Sequence, residues 1–141
     1  MHRTIEVSSN VGLLVLRLAA GGMLAGGHGL SKLLTFSEKA ATFSDPLHVG
    51  STLSLTLAIV GELFCPLFVV LGLATRAMAF FPLFTMLVAA VVVHADDPWG
   101  RKEFALLYAV PFLVLMFTGP GAFSLDGLFW KWRRARRTGA A

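Results

Sequence analysis

Apolar residues are concentrated in four long runs along the chain, separated by short polar stretches. The runs cover about residues 11–30, 51–73, 77–93 and 104–118. A helix of about 20 apolar residues crosses the hydrocarbon core of a bilayer. The first two runs reach this length, whereas the last two are short and would begin at the interface or lie in a thinned bilayer. The pattern predicts an all-α fold, a bundle of four transmembrane helices.

A fifth helix is predicted after the last apolar run. Gly119-Pro120-Gly121 cannot continue a helix. Ser124 then supplies an N-cap for a new helix, with Asp126 near its positive end. Residues 124–137 place aromatic side chains beside a cluster of basic ones, which is typical of a helix lying at a membrane interface. We expect one membrane domain over residues 1–141.

Composition narrows the class of protein. Of the 141 residues, 56% are hydrophobic and 14% are charged, too few charges to cover a soluble domain. A single cysteine, Cys65, excludes dithiol chemistry within one chain, and the histidines have no metal-binding spacing. We therefore expect no metal site. The basic cluster beside tryptophans favours lipid headgroups as its partner, not nucleic acid.

The distribution of lysine and arginine indicates an orientation. With four spans, seven of the twelve basic residues fall on the side of the termini, four fall on the other side, and Arg17 lies within the membrane. The positive-inside rule then places both termini in the cytoplasm. In the first run, Gly22 and Gly26 form a GxxxG pair, which predicts close approach of another helix, within the bundle or between copies.

Two charged residues lie inside apolar runs. Glu62 is near the middle of the second run, and Arg17 lies roughly 5 Å to the cytoplasmic side of the middle of the first, at 1.5 Å per residue. A lone charge at this depth is costly and is normally paired. We predict a buried Arg17–Glu62 ion pair between antiparallel helices. Two interpretations stay open: the pair fixes helix register, or it forms the floor of a polar or proton-handling site.

Three basic residues form a candidate polar site at the predicted outer ends of the helices. His28 lies eleven residues after Arg17, close to three helical turns, so the two share a face. Lys32 follows near that face if the helix continues, and His94 closes the third run. Together they would hold an anionic group or a quinone carbonyl by hydrogen bonds. The alternative is that they are ordinary interfacial residues.

The ordered motifs resemble those of the DoxX family of small four-helix membrane proteins. The shared residues are Arg17, His28-Gly29-Leu30, Lys32, Gly61-Glu62-Leu63, Leu71 to Arg76, Met86, Ala89, His94 and the ending Thr118 to Asp126. The resemblance implies a four-helix bundle in a bacterial inner membrane. It carries over Arg17, His28, Lys32, Glu62, His94 and Asp126 as candidate positions.

The resemblance implies a function connected with redox enzymes. The family is named after a membrane subunit of a thiosulfate:quinone oxidoreductase, and other relatives are linked to redox stress or to maturation of periplasmic enzymes. One hypothesis is therefore a subunit that interacts with quinone or couples a partner oxidoreductase to the membrane. The alternative is a non-catalytic anchor, assembly factor or structural subunit. Either way we expect contacts with lipid and with protein partners or further copies, no covalently bound cofactor, and quinone as the candidate ligand. Whether the chain is itself an enzyme stays open.

Overall fold

The computed structural model describes residues 2–137, and side chains from residue 4 onward. All regular elements in this range are helical, which confirms the predicted all-α class. Residue 1 and residues 138–141 of the predicted domain lie outside the described residues.

Four long helices, one short helix and a C-terminal helix make up the described chain. The first long helix runs through His2–Leu24, a π-helical turn Ala25–Gly29 and Leu30–Leu34. The second runs through Ser51–Ile59, a π-helical turn Val60–Phe64 and Cys65–Leu71. The third runs through Thr75–Val88 and a π-helical turn Ala89–Val93. The fourth is Trp99–Thr118, the short helix is Phe36–Lys39 and the C-terminal helix is Leu125–Arg137.

The four long helices pack in a ring, each against the next in sequence and the first against the fourth. Leu24, Val69, Phe112 and Leu115 meet in the centre and are fully buried. A second apolar cluster lies around Leu55 and includes residues that follow the first long helix. Among the described residues, three helices are long and apolar enough to cross a membrane: Thr4–Leu34, Ser51–Leu71 and Thr75–Val93.

Three helices begin or end at residues other than those of the predicted apolar runs. The second helix stops at Leu71, because Gly72 adopts the left-handed conformation with φ 69°. The first helix continues past residue 30 to Leu34, so Lys32 is helical. The fourth begins at Trp99, and its early turns therefore carry the charged residues Arg101, Lys102 and Glu103.

Two glycines set the register between the first and second helices. A Cβ atom added at Gly21 would lie 2.9 Å from the carbonyl oxygen of Pro66, and one added at Gly29 would lie 2.5 Å from that of Glu62. The backbones approach this closely only because glycine has no side chain. The predicted approach at Gly22 and Gly26 is wrong within the described chain, where nothing lies within 4 Å of an added Cβ at either position. A contact there between copies stays a prediction.

Candidate functional site: a cavity at one end of the bundle

The two ends of the bundle place the predicted polar residues in different surroundings. We call them the Arg17 end, where the second helix stops and the C-terminal helix begins, and the cavity end, where the three π-helical turns lie. Gly29 packs on Glu62, so Glu62 belongs to the cavity end. Arg17 is twelve residues before Gly29, about 18 Å along the helix at 1.5 Å per residue.

The predicted Arg17–Glu62 ion pair is therefore not formed. Arg17 is completely buried and donates hydrogen bonds to the backbone carbonyls of Val69, at 3.4 Å, of Val70, at 3.1 Å, and of Phe123. The first two belong to the last turn of the second helix, where carbonyls are not all paired within the helix, although that of Val69 also accepts from the N–H of Gly72. The prediction failed because the register places Arg17 beside a helix C-terminus, which also attracts a cation.

Ser124 and Asp126 lie at the same end but serve different helices. The Oγ of Ser124 accepts a hydrogen bond from the backbone N–H of Gly127 at 2.9 Å, the geometry of an N-cap on the C-terminal helix. The carboxylate of Asp126 instead accepts from the backbone N–H groups of Ala74, at 2.9 Å, and Thr75, at 3.0 Å. Asp126 thus caps the third long helix and not its own.

The cavity end contains a cavity of about 590 Å³. All four long helices and the loop after the short helix contribute to its wall. Much of the wall is apolar and aromatic, and the polar side chains lie among these rings. The aromatic residues of the wall are Phe43, Phe80, Phe81, Phe84, Phe104 and Tyr108.

Each π-helical turn contributes to this wall. The first supplies His28, the second Gly61 and Glu62, and the third Ala89 and Val93. A π-helical turn holds one more residue than an α-helical turn and is often found at functional sites. Three such turns around one cavity distinguish this region from the rest of the bundle.

The partner of Glu62 is Lys32. The Nζ of Lys32 donates to the Oε2 of Glu62, and both residues line the cavity. The side chain of Glu62 is 7% exposed and that of Lys32 is 21% exposed. Lys32 reaches Glu62 because it lies about one turn beyond Gly29, where the backbones are closest. A carboxylate this deeply buried is stabilised by such a partner.

His28 is surrounded by rings. Its imidazole centroid is 5.7 Å from that of Phe104 and 5.4 Å from that of Tyr108. The rings of Phe104 and Tyr108 are 5.1 Å apart and nearly perpendicular. His28 is thus held by edge contacts against the fourth helix, on the wall that Lys32 and His94 also form.

His94 terminates the third helix and is bound to a carboxylate. Its Nδ1 is 2.6 Å from the Oδ2 of Asp97, and the same oxygen accepts from Arg101 at 3.3 Å. Hydrogen bonds from His94 and then Arg101 hold the pKa of Asp97 below its usual value. His94 and Arg101 line the cavity, and Asp97 lies behind them.

A loop closes part of the cavity. Residues 43, 44, 46 and 47 line it, and Asp45 anchors them to the start of the second helix. The carboxylate of Asp45 accepts from Ser54 Oγ at 2.6 Å and from the backbone N–H groups of Gly50, at 2.7 Å, and Val49, at 3.0 Å. The hydrogen bond from Ser54, followed by those from the two N–H groups, lowers the pKa of Asp45.

The structure brings together His28, Lys32 and His94, as the sequence grouped them, and adds Glu62 to them. It also adds residues that sequence reasoning missed, chiefly Asp97 and the aromatic wall. The spacing of His94, Asp97 and Arg101 by three and four residues was a usable signal for the missed triad. Within residues 2–137, no group of three His, Cys, Asp or Glu residues is placed to hold a metal ion.

Comparison with known proteins identifies the family. The DoxX family model matches residues 12–95, which is more than half of the chain. The chain belongs to the DoxX family. The matched range contains Arg17 and the four residues His28, Lys32, Glu62 and His94 of the cavity wall. This membership confirms the resemblance found in the sequence, and the protein is a DoxX-family membrane protein.

The chain is also similar to a protein of Haemophilus influenzae (strain ATCC 51907 / DSM 11121 / KW20 / Rd). It is described as an uncharacterized protein and is 31% identical over 111 residues, covering 74% of this chain and 81% of the relative. No solved structure matches.

Proposed function

We propose that this DoxX-family protein crosses a bacterial inner membrane four times, with both termini in the cytoplasm. The fourth span is Trp99–Thr118, which packs along the first and third helices. Its uncharged part, residues 104–118, is short, and Arg101, Lys102 and Glu103 lie at the end that would meet water. The excess of basic residues at the Arg17 end makes that end cytoplasmic.

The C-terminal helix lies at the cytoplasmic interface in this arrangement. Leu125, Leu128, Phe129 and Trp132 follow one face at helical spacing and are exposed. Arginines accompany them: Arg133 lies over the ring of Phe129 at 4.9 Å and Arg136 over that of Trp132 at 3.8 Å. Apolar rings beside cations suit the boundary between headgroups and acyl chains.

The proposed activity is binding of a quinone, or a similar flat apolar compound with oxygen atoms, for a partner oxidoreductase. The observation that carries it is the cavity, where an aromatic wall surrounds the Lys32–Glu62 pair and two histidines. Its volume of about 590 Å³ lies within the range of roughly 300–1,000 Å³ found for ligand sites. Rings would pack on the phenylalanines, and the ligand oxygens would bond to the polar groups.

The test is quinone-dependent stability of the purified protein in lipid nanodiscs. A short-chain quinone at 100 times its Kd should raise the free energy of unfolding by about 2.7 kcal/mol. Ala58→Trp and Val93→Trp, on two different helices, fill the cavity and should abolish the shift. Ala19→Trp adds the same ring at an exposed position of the first helix and should preserve it. A wild-type protein that quinones do not stabilise would contradict the proposal.

A second candidate function is that of a non-catalytic anchor or assembly subunit. The observation that favours it is the C-terminal helix, whose Trp130 and Trp132 are exposed outside the bundle. These side chains would contact a partner protein as readily as a membrane. One experiment distinguishes the two functions by measuring assembly with the partner protein. If the chain is only an anchor, the cavity-filling variant Ala58→Trp should still assemble with the partner. Trp130→Ala with Trp132→Ala should disrupt assembly in that case.

A further inference from the structure

His94 is the one cavity histidine in the described chain whose ring is bonded to a carboxylate. The distance from Nδ1 to the Oδ2 of Asp97 is 2.6 Å. An ionised carboxylate can only accept a hydrogen bond, so the proton of this bond belongs to Nδ1. Arg101 contacts the same oxygen at 3.3 Å and keeps the carboxylate ionised by its charge. Asp97 therefore selects one tautomer of His94.

The selected tautomer determines what His94 presents to the cavity. In a neutral imidazole with its proton on Nδ1, the other nitrogen, Nε2, carries a lone pair and accepts hydrogen bonds. His94 lines the cavity. A ligand atom that meets Nε2 must therefore donate a hydrogen. A hydroxyl group does so, whereas a carbonyl or ether oxygen would leave two acceptors facing each other with no proton between them.

We propose that His94, positioned by Asp97, makes the cavity select ligands that carry a hydroxyl group on an apolar ring. The inference rests on the proposed binding of a flat apolar compound and deepens it. For a quinone couple, the preferred species is the reduced, hydroxyl-bearing form. Asp97 acts as a positioning residue, because it fixes the proton on the far side of the ring without reaching the ligand.

The rest of the polar wall is compatible with a hydroxyl ligand. Glu62 is bonded to Lys32 through Oε2, and it adds a second acceptor to the cavity. The ammonium group of Lys32 has further N–H bonds that can donate to the lone pairs of a hydroxyl oxygen. A hydroxyl group can satisfy both kinds of neighbour, since it donates one hydrogen bond and accepts others.

A matched pair of redox-inert compounds tests the selection. 1-Naphthol and 1-methoxynaphthalene share one ring system, but only the first donates a hydrogen bond. For the wild-type protein in nanodiscs, we expect naphthol to bind about tenfold more tightly than the ether, the effect of one buried hydrogen bond. Asp97→Asn should reduce the ratio below about threefold, because an amide can donate to Nδ1 and release the other tautomer.

The neighbouring acid supplies the control. Asp96 is exposed, and Asp96→Asn removes the same charge from the same turn. The ratio of the two affinities should stay at its wild-type value in this variant. His94→Phe keeps an aromatic ring and removes the acceptor, so its ratio should fall as it does for Asp97→Asn.

A spectroscopic readout separates positioning from general structural support. The chain has four histidines, so ¹⁵N-histidine labelling gives a spectrum that single variants can assign. We expect His94 to be protonated on Nδ1 in the wild type and the proton to redistribute toward Nε2 in Asp97→Asn. A variant that merely loosened the fold would not change the tautomer of a folded, ligand-binding sample.

The outcomes distinguish the proposed binding function from the proposed selection for a hydroxyl group. If quinone and both naphthalenes bind the wild type and the two naphthalenes bind equally, the selection is overturned and the proposed function survives. Retention of the tenfold ratio in Asp97→Asn overturns the role of Asp97. If no compound binds, the proposed function fails and the selection fails with it.

Discussion

The Arg17 end and the cavity end of the bundle both contain buried charge, but they use it differently. At the Arg17 end, the cation bonds to backbone carbonyls, and Asp126 bonds to backbone N–H groups. At the cavity end, Lys32 pairs with Glu62, and both residues line an open volume. Charged side chains that bond to helix termini hold the helices together. Charged side chains on the wall of a cavity can also contact a bound ligand. Under the proposed function, Arg17 takes the structural interpretation and Glu62 belongs to the polar site.

The largest expected effect is at Arg17. Arg17→Leu replaces a fully buried side chain and leaves the part-buried carbonyls of Val70 and Phe123 without their donor. A buried unsatisfied group costs about 1–3 kcal/mol. We expect the free energy of unfolding in mild detergent to fall by about 4 kcal/mol. Arg76→Leu, at an exposed arginine with one carbonyl partner, should cost less than about 1 kcal/mol. Equal losses in the two variants would contradict the contrast between the ends.

The next effect concerns the partner of Glu62. Lys32→Met leaves a buried carboxylate alone and should cost about 2–3 kcal/mol, below the full range for buried pairs because Lys32 is partly exposed. Lys32→Met combined with Glu62→Leu should recover at least about 1 kcal/mol relative to additive losses. The cycle of Arg17→Leu with Glu62→Leu should be additive within about 0.5 kcal/mol. A larger coupling energy between Arg17 and Glu62 would support the Arg17–Glu62 ion pair and contradict the pairing of Glu62 with Lys32.

A smaller effect is expected where the backbones meet. Gly29→Ala introduces a Cβ 2.5 Å from the carbonyl oxygen of Glu62, so the helices must separate. Overpacking of this kind costs typically about 1–3 kcal/mol, and we also expect weaker quinone binding because the cavity changes shape. Gly22→Ala meets nothing within 4 Å and should leave thermal stability and binding unchanged. Comparable thermal shifts in both variants would show that register is set elsewhere.

The smallest effect is a pH response of the loop that closes the cavity. The pKa of Asp45 is lowered by its hydrogen bond from Ser54 and by those from Gly50 and Val49. Its stabilisation is therefore complete above the unfolded pKa, about 3.9, and is lost as pH falls through the still lower folded pKa. Hydrogen exchange of residues 43–50 should accelerate in that acid range.

The control for this response removes the titrating group. Asp45→Asn should exchange faster at neutral pH and lose the acid-dependent acceleration. Glu38→Gln, at an exposed residue of the short helix, should behave as the wild type does. An unchanged acid response in Asp45→Asn would place the titrating group elsewhere in the chain.

Several features of the fold could be predicted from the sequence. The wrong predictions, of the Arg17–Glu62 pair and of the close approach at residues 22 and 26, both depend on the register between helices. Apolar runs and helix breakers are local, so they predicted the all-α class and four transmembrane helices. In the part of the chain that the structure describes, three helices are long and apolar enough to cross a membrane. The depth of Arg17 was predicted from the middle of an apolar run, but the helix extends well before that run. Glycines at residues 21 and 29 then set the register, and GxxxG at residues 22 and 26 gave no sign of this.

The candidate site divides in the same way. His28, Lys32 and His94 were accessible to sequence reasoning because polar residues at the ends of apolar helices stand out. Asp97 was missed although its spacing from His94 and Arg101 was a signal, because an acidic residue in a short loop has many interpretations until a partner is known. The π-helical turns were also hidden, as the first of them, Ala25–Gly29, contains no proline to mark it.

The sequence by itself determined that this is a helical membrane protein of the DoxX family and which residues carry unusual polarity. Those properties depend on composition and on motif order, which are written along the chain. Only the tertiary structure decided that Lys32 is the partner of Glu62, that Arg17 and Asp126 cap helix ends, and that His94 is held by Asp97. These pairings depend on how far one helix slides along another, and a shift of one turn, about 5.4 Å, exchanges every partner.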